Sequence, residues 1–278
     1  MTPTLISLHE AAERLGVHYM TAYRYVRTGR LPAEKVGAEW RVDATDLAPF
    51  LAPESTEPRR RRRTDYGTRL VGPLILGDEA GAWTVVEQAM ASGVEPERIY
   101  LEVLTPSLEQ IGDLWESGEV SVAEEHQASA IVLRLIGRLG PRLRRRGRTR
   151  GSIVLGAPPG EQHGVAVALL GDLLRARGFR VHDLGADVPP ESFADAALRA
   201  ERLIAVGIGA TTRRNERNIR AAVRAVRAAV NVPVVVGGAG ISDLAHAKQL
   251  GADAFAAKAP AALELFELAA RSGAPTRP

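Results

Sequence analysis

The sequence predicts a multidomain chain: an all-α helix-turn-helix with a wing, then a four-helix bundle, then an α/β domain with a five-stranded parallel sheet. Three observations predict it. Cap residues and a glycine turn punctuate the first fifty or so positions, the middle stretch has helical periodicity with few β-branched runs, and from Ser152 short apolar runs alternate with amphipathic helical stretches. Strands that alternate with helices need crossover connections, which makes the sheet parallel and doubly wound. The expected boundaries are a first domain at 1–52, a linker at 53–66, the bundle at 67–150 and the α/β domain at 151–278.

At 278 residues and 45% apolar content the chain has room for one large domain or two to three small ones, and ample material for folded cores. It has no cysteine, which excludes disulfides, thiolate metal sites and cysteine nucleophiles, so histidine and carboxylates must supply any ligation. A net charge of +3 permits nucleic-acid binding without demanding it. No leader pattern is visible and no apolar run approaches the roughly 18 residues of a membrane span, so the expected location is cytoplasmic, with no membrane partner. No internal repeat is present. The Arg59–Arg63 run reads as a solvated tether sooner than as a phosphate contact. Nothing resembles a nucleophile elbow, a phosphate-binding loop or a carboxylate pair with a substrate pocket, so no enzyme activity is expected.

Ser7 with Glu10 three residues later forms a capping box for a helix whose inner face is Leu8, Ala11, Ala12 and Leu15. Gly16 makes the turn, and a second helix runs from about Val17 to Thr28 with Ala22 and Val26 inward, ended by Gly29 and Pro32. Glu34 to Val42 offers two extended runs around Gly37, a wing carrying Lys35 and Arg41. This stretch resembles the winged helix-turn-helix of MerR and excisionase type, over nearly all of residues 5 to 51. The resemblance implies a second helix in the major groove of double-stranded DNA. Its groove-facing candidates, opposite Ala22 and Val26 at helical spacing, are His18, Tyr19, Thr21, Tyr23, Arg24 and Arg27.

In the α/β domain the run SIVLGA is followed by PPGEQHGVAVALL, which puts Glu161 and His163 in the first loop at a strand's carboxyl end, where ligands bind in such folds. A neutral imidazole is a good transition-metal ligand, and a carboxylate two residues away can take its other ring proton and fix the tautomer. GEQHGVA resembles the E/D-x-H-x-x-G signature of Rossmann-like, flavodoxin-like cobalamin-binding domains, and GIGATT at 207–212 and VVGG at 235–238 fall where that family has its other motifs. The resemblance implies His163 beneath cobalt, and a nucleotide tail passing Gly209, Ala210, Thr211, Gly237 and Gly238 with small residues because the tail touches backbone. Two positions depart from the pattern: Ala166 stands where the family has glycine, and Gly209 where it commonly has the serine that completes the relay to the carboxylate. The loop LGADVPPESF resembles the one after the second strand of these domains, with Asp187 and Pro189 at the corrin edge.

In the bundle, GDLWESGEVSVAEEHQAS ends one helix at Trp115, breaks at Gly118 and caps the next with Ser121 and Glu124, so Trp115, Glu125 and His126 project from adjacent helix ends. Helix breaks are expected at Gly93, Pro106 and Gly118. The W-x9-EH spacing resembles that of CarH-like cobalamin photoreceptors. That resemblance implies a repressor holding adenosylcobalamin, with Trp115 over the upper ligand and Glu125 and His126 on the adenosyl group, assembled as a homotetramer on its DNA operator until light breaks the cobalt–carbon bond. Where the family has a second cobalt-binding histidine after the tryptophan, this chain has Glu116, which offers only oxygen. Two further readings stay open: a regulator that senses cobalamin without light, and a corrinoid methyl carrier.

Overall fold

Ser7 starts the first helix because its hydroxyl accepts the Glu10 amide at 3.1 Å, satisfying one of the donors that a helix start leaves unpaired. The structure, a computed structural model, describes residues 5–27, 30–37, 39–51, 65–143, 147, 149–212 and 214–272. The Arg59–Arg63 run, most of the 53–66 linker and the expected helix end at Thr28 and Gly29 lie outside them. Among the described residues no helix is long and apolar enough to cross a membrane.

The N-terminal unit runs β1 (Leu5–Ser7), α1 (Leu8–Arg14), α2 (Tyr19–Arg27), β2 (Glu34–Val36), β3 (Glu39–Asp43), a 3-10 turn and α3 (Ala48–Leu51). The wing is the β2–β3 hairpin. Gly37 turns it at φ +66, a left-handed conformation that suits glycine. A strand that the sequence pattern does not announce, β1, pairs antiparallel with β3, giving the order β1-β3-β2. Ile6, Leu8, Ala11, Ala22, Leu31 and Val42 form this unit's own core.

The bundle consists of α4 (Tyr66–Ile75), α5 (Glu79–Ala91), the short α6 (Pro96–Ile99), α7 (Thr105–Glu116) and α8 (Val122–Leu143). Asp65 and Asp78 cap α4 and α5 through the amides of Thr68 and Gly81. Ser121 and Glu124 form the expected reciprocal box: the Glu124 carboxylate accepts the Ser121 amide at 2.8 Å while the Ser121 hydroxyl accepts the Glu124 amide at 3.3 Å. Gly93 and Gly118 break the chain at positive φ. Pro106 does not. A π turn over Tyr100–Leu104 carries α6 into α7 without a break, and Pro106 falls just past this wider turn, near the start of α7.

The C-terminal unit runs β4 (Ser152–Gly156), α9 (Gly164–Ala176), β5 (Arg180–Asp183), α10 (Pro190–Arg199), β6 (Leu203–Gly209), α11 (Glu216–Ala229), β7 (Val234–Gly237), α12 (Leu244–Gln249), β8 (Ala254–Ala256) and α13 (Ala259–Arg271). Its five parallel strands take the order β5-β4-β6-β7-β8. Strand order reverses at β4, so the loops after β4 and β6 part there and leave a crevice.

One face of this sheet, with α9 and α13, shares a continuous core with the bundle, from Leu70 and Leu135 through Leu173 to Phe266. The other face packs on α10, α11 and α12 in a separate cluster. Tyr100, from the π turn, is buried in the first and donates its hydroxyl to Asp172 of α9 at 2.8 Å.

The N-terminal unit touches the bundle through α2. Arg27 pairs with Glu119 at 2.6 Å, Met20 packs against the bundle core, and the His18 ring lies so close to Gly72 of α4 that a Cβ there would sit 2.0 Å from it. His18 and Arg27 face the bundle in this arrangement, and Tyr19 and Tyr23 are half-buried on their own unit's core, stacked on each other with ring centroids 6.3 Å apart. Aromatic rings on a short helix gain more from that apolar surface than from water. Thr21 is half-buried and Arg24 exposed. On the wing, Lys35 lies over the Trp40 ring at 5.9 Å and Arg41 pairs with Glu39 at 2.9 Å.

Candidate functional site

His163 is the cap residue of α9, on the loop that leaves the carboxyl end of β4. Its Nδ1 is hydrogen-bonded to the Glu161 carboxylate, so the ring is held by one nitrogen and Nε2 is left to bind. Glu161 is wholly buried, which would be costly for a carboxylate without donors. They come from the loop after β6: the Thr211 and Thr212 amides each donate to one carboxylate oxygen at 2.6 Å, and the Thr212 hydroxyl donates to the other at 3.1 Å. Burial pushes the Glu161 carboxyl up, but the hydrogen bonds from His163 and from the Thr212 and Thr211 amides outweigh it and hold it at about 2. The ionised Glu161 in turn raises His163 above its ordinary 6.5 against desolvation, with a smaller push from the charge of Glu125.

Thr212 escaped the sequence reading, although it does what the missing serine at position 209 was expected to do. Asn215 and Asn218 also escaped it: both side-chain amides donate to the Pro159 carbonyl, at 3.0 and 2.9 Å, and tie the His163 loop to the start of α11. Asp187 braces the same loop, accepting the Gly160 amide at 2.8 Å and donating its own amide to the Glu161 carbonyl at 2.9 Å.

A cavity of about 370 Å3 runs from His163 between the sheet and the bundle, lined by Gly209, Ala210, Thr211, Gly237 and Gly238 below and by Leu101 and Thr105 of the bundle. The chain's own packing gives a reason for two of the glycines. A Cβ on Gly237 would sit 2.4 Å from the Ala256 carbonyl oxygen, and one on Gly238 2.4 Å from that of Ala210, so the chain's own backbone excludes side chains there. At Gly209 a Cβ would meet a Val167 methyl at 3.2 Å and the Gly156 carbonyl oxygen at 3.8 Å, a milder crowding.

Trp115 ends α7 outside the bundle core with 46% of its surface exposed. Beyond the Gly118 turn, Glu125 accepts from Ser129 at 2.8 Å with one oxygen and meets His126 Nδ1 at 2.7 Å with the other. Glu116, beside Trp115, is exposed.

Two family models described as B12 binding domain match residues 68–139 and 151–267, and one described as a helix-turn-helix domain matches residues 5–54. Dimethylamine corrinoid protein 3 of Methanosarcina acetivorans is 30% identical over 182 residues, 64% of this chain and 84% of that protein. The chain belongs to the B12-binding corrinoid protein family. Trimethylamine corrinoid protein 1 of the same organism is 25% identical over 183 residues, again 64% of this chain and 84% of that one. The solved monomethylamine corrinoid protein of Methanosarcina barkeri shares the fold, with a TM-score of 0.63 at 23% identity over 72% of this chain and 96% of that one.

The site of this corrinoid-family chain fits such a cofactor. His163 offers one imidazole oriented through Nδ1 by a buried carboxylate, which suits a metal that brings its other ligands with it, as cobalt does in a corrin. His163 Nε2 would face the cobalt, and the mostly apolar cavity beside it would take the nucleotide tail.

Proposed function

We propose that this chain is a CarH-like transcriptional repressor of MerR type that binds adenosylcobalamin and responds to light, acting in the cytoplasm as a homotetramer on a DNA operator and not as an enzyme. The observation that carries this reading is the course of one turn. Between Trp115 and His126 the chain carries an exposed indole and Glu125, whose charge adds to the raising of His163, and from the same turn Glu119 pairs with Arg27 on α2. The helix-turn-helix domain thus contacts the same short segment that carries the proposed adenosyl-holding residues.

Adenosylcobalamin would supply a bond that light breaks. Trp115 would cover the adenosyl group, and Glu125 with His126 would hold it, so departure of the group would free the turn from the interactions that favour one of its positions. The turn carries Glu119, and through Arg27 it bears on α2. Glu116 stands where a second histidine would and offers a carboxylate oxygen in its place. A light-independent cobalamin sensor would use the same residues without the photochemistry. The names of the relatives favour one reading from another class, a corrinoid methyl carrier; the helix-turn-helix speaks for a regulator.

The test is to load the protein with adenosylcobalamin in the dark and record its absorption, sedimentation and affinity for a duplex selected by the protein from random sequence, before and after green light. Tetramers that bind DNA in the dark and dissociate in light support the proposal. DNA binding indifferent to light but dependent on cobalamin would favour the sensor, and no DNA binding at all would favour the carrier. Trp115→Ala is expected to weaken dark assembly about tenfold or more, as truncation of an aromatic anchor does, measured by sedimentation. Glu119→Gln is expected to raise the DNA affinity of the cofactor-free protein about two- to fivefold in a gel shift, since α2 then leaves the bundle more easily. Unchanged affinity would show that the Arg27–Glu119 pair does not restrain α2.

A further inference from the structure

On the sheet face turned away from the bundle, α11 carries Arg217, Arg220, Arg224 and Arg227 at intervals of three, four and three residues, which is one side of a helix. The opposite side, Ile219, Ala222, Val223 and Val226, is buried against the sheet. At 1.5 Å per residue the four guanidinium groups span about 15 Å. Arg227 is neutralised by Asp253 at 2.7 Å, as Arg199 on neighbouring α10 is by Asp195 at 3.5 Å. Arg217, Arg220 and Arg224 are exposed and form no ion pair with a carboxylate of the described residues, and Arg214 just before the helix is the same.

We infer that α11 is a second DNA-contacting surface, a ridge that takes the phosphate backbone of a duplex without reading its bases. The inference rests on the reading of the chain as a DNA-binding protein and gives its α/β domain a part in that binding. The chemistry selects the partner. Guanidinium forks pair with phosphate oxygens two at a time, and a regular row of them matches a regular row of charges. A protein partner would need an apolar anchor at the centre of the interface, whereas between these arginines the ridge presents only Ala221, Ala225 and Ala228. The ridge also lies outside the cofactor cavity, none of whose walls it forms, so a duplex on α11 leaves the cobalamin site open.

The test compares full-length protein with Arg217→Gln/Arg220→Gln/Arg224→Gln for binding to a random-sequence duplex several turns long, across a series of salt concentrations. Every phosphate that is no longer neutralised lowers the slope of log affinity against log salt by about 0.9, so the triple variant should show a slope smaller by up to about 2.7 and a low-salt affinity weaker by about tenfold or more. The corresponding lysine variant should keep most of the slope, and both should keep the wild-type cobalamin spectrum. If wild type binds the duplex and the glutamine variant shows the same slope and affinity, the ridge is merely solvated and the inference falls. If the variant instead changes sedimentation without DNA while its slope is unchanged, the ridge mates with another protein surface and the inference also falls. Wild-type protein that binds no duplex at all overturns the DNA-binding reading itself, an outcome distinct from the other two.

Discussion

Replacing His163 with alanine is expected to lower cobalamin affinity by at least about 100-fold, because it removes the nitrogen proposed to bind the metal and strands the carboxylate behind it. Spectral titration of the cofactor-free protein measures this, and an unchanged affinity and spectrum would show that the imidazole does not bind cobalt. The pH dependence has a definite sign. Glu161 raises His163 above 6.5, so in the free protein their attraction stabilises the fold fully below that value and is lost as pH rises through the raised one. Ligation asks for the opposite, since Nε2 must give up its proton. Cobalamin binding through His163 should therefore strengthen about tenfold per pH unit up to the raised pKa and level off above it.

The second large effect is expected at Glu161, even without cofactor. Glu161→Ala leaves the Thr211 and Thr212 amides with no acceptor inside the protein and should cost about 3 to 5 kcal/mol of stability, as breaking a buried charged network does. Urea denaturation of the cofactor-free protein checks it, and a loss under about 1 kcal/mol would mean that water replaces the carboxylate freely. Wild-type stability should carry the same signature. A carboxyl at about 2 in the fold against 4.5 unfolded contributes stability that is complete above 4.5 and disappears as pH falls through about 2.

Much of this architecture was legible because its signals are local. Ser7 with Glu10 and Ser121 with Glu124 mark helix starts within a span of four residues, and the apolar runs of β4, β6 and β7 are bounded by glycine or proline. His163 could be placed at a strand's carboxyl end by the same means. What stayed hidden depends on partners far apart in sequence. Thr212 meets Glu161 only because β4 and β6 are neighbours in the sheet, and nothing around position 212 announces a carboxylate partner. The strand Leu5–Ser7 is too short to show alternation and exists by pairing with β3. Pro106 reads as a break in any linear pattern, since the π turn that accommodates it leaves no sequence mark. The contacts of α2 with the bundle stayed hidden because amphipathicity tells which residues leave a helix's own core, not what then covers them.

The core that passes unbroken from Leu70 in the bundle to Phe266 beneath the sheet decides where this chain can be divided and its pieces reused. A gene fragment is inherited usefully when its product survives alone. The first fifty or so residues have an apolar centre of their own and are the piece expected to be exchangeable as a cassette. The two B12-binding segments cannot be exchanged singly: cut at residue 150, each would turn to water the surface that the other now covers. Similarity divides them into two parts, while energy makes them one heritable unit.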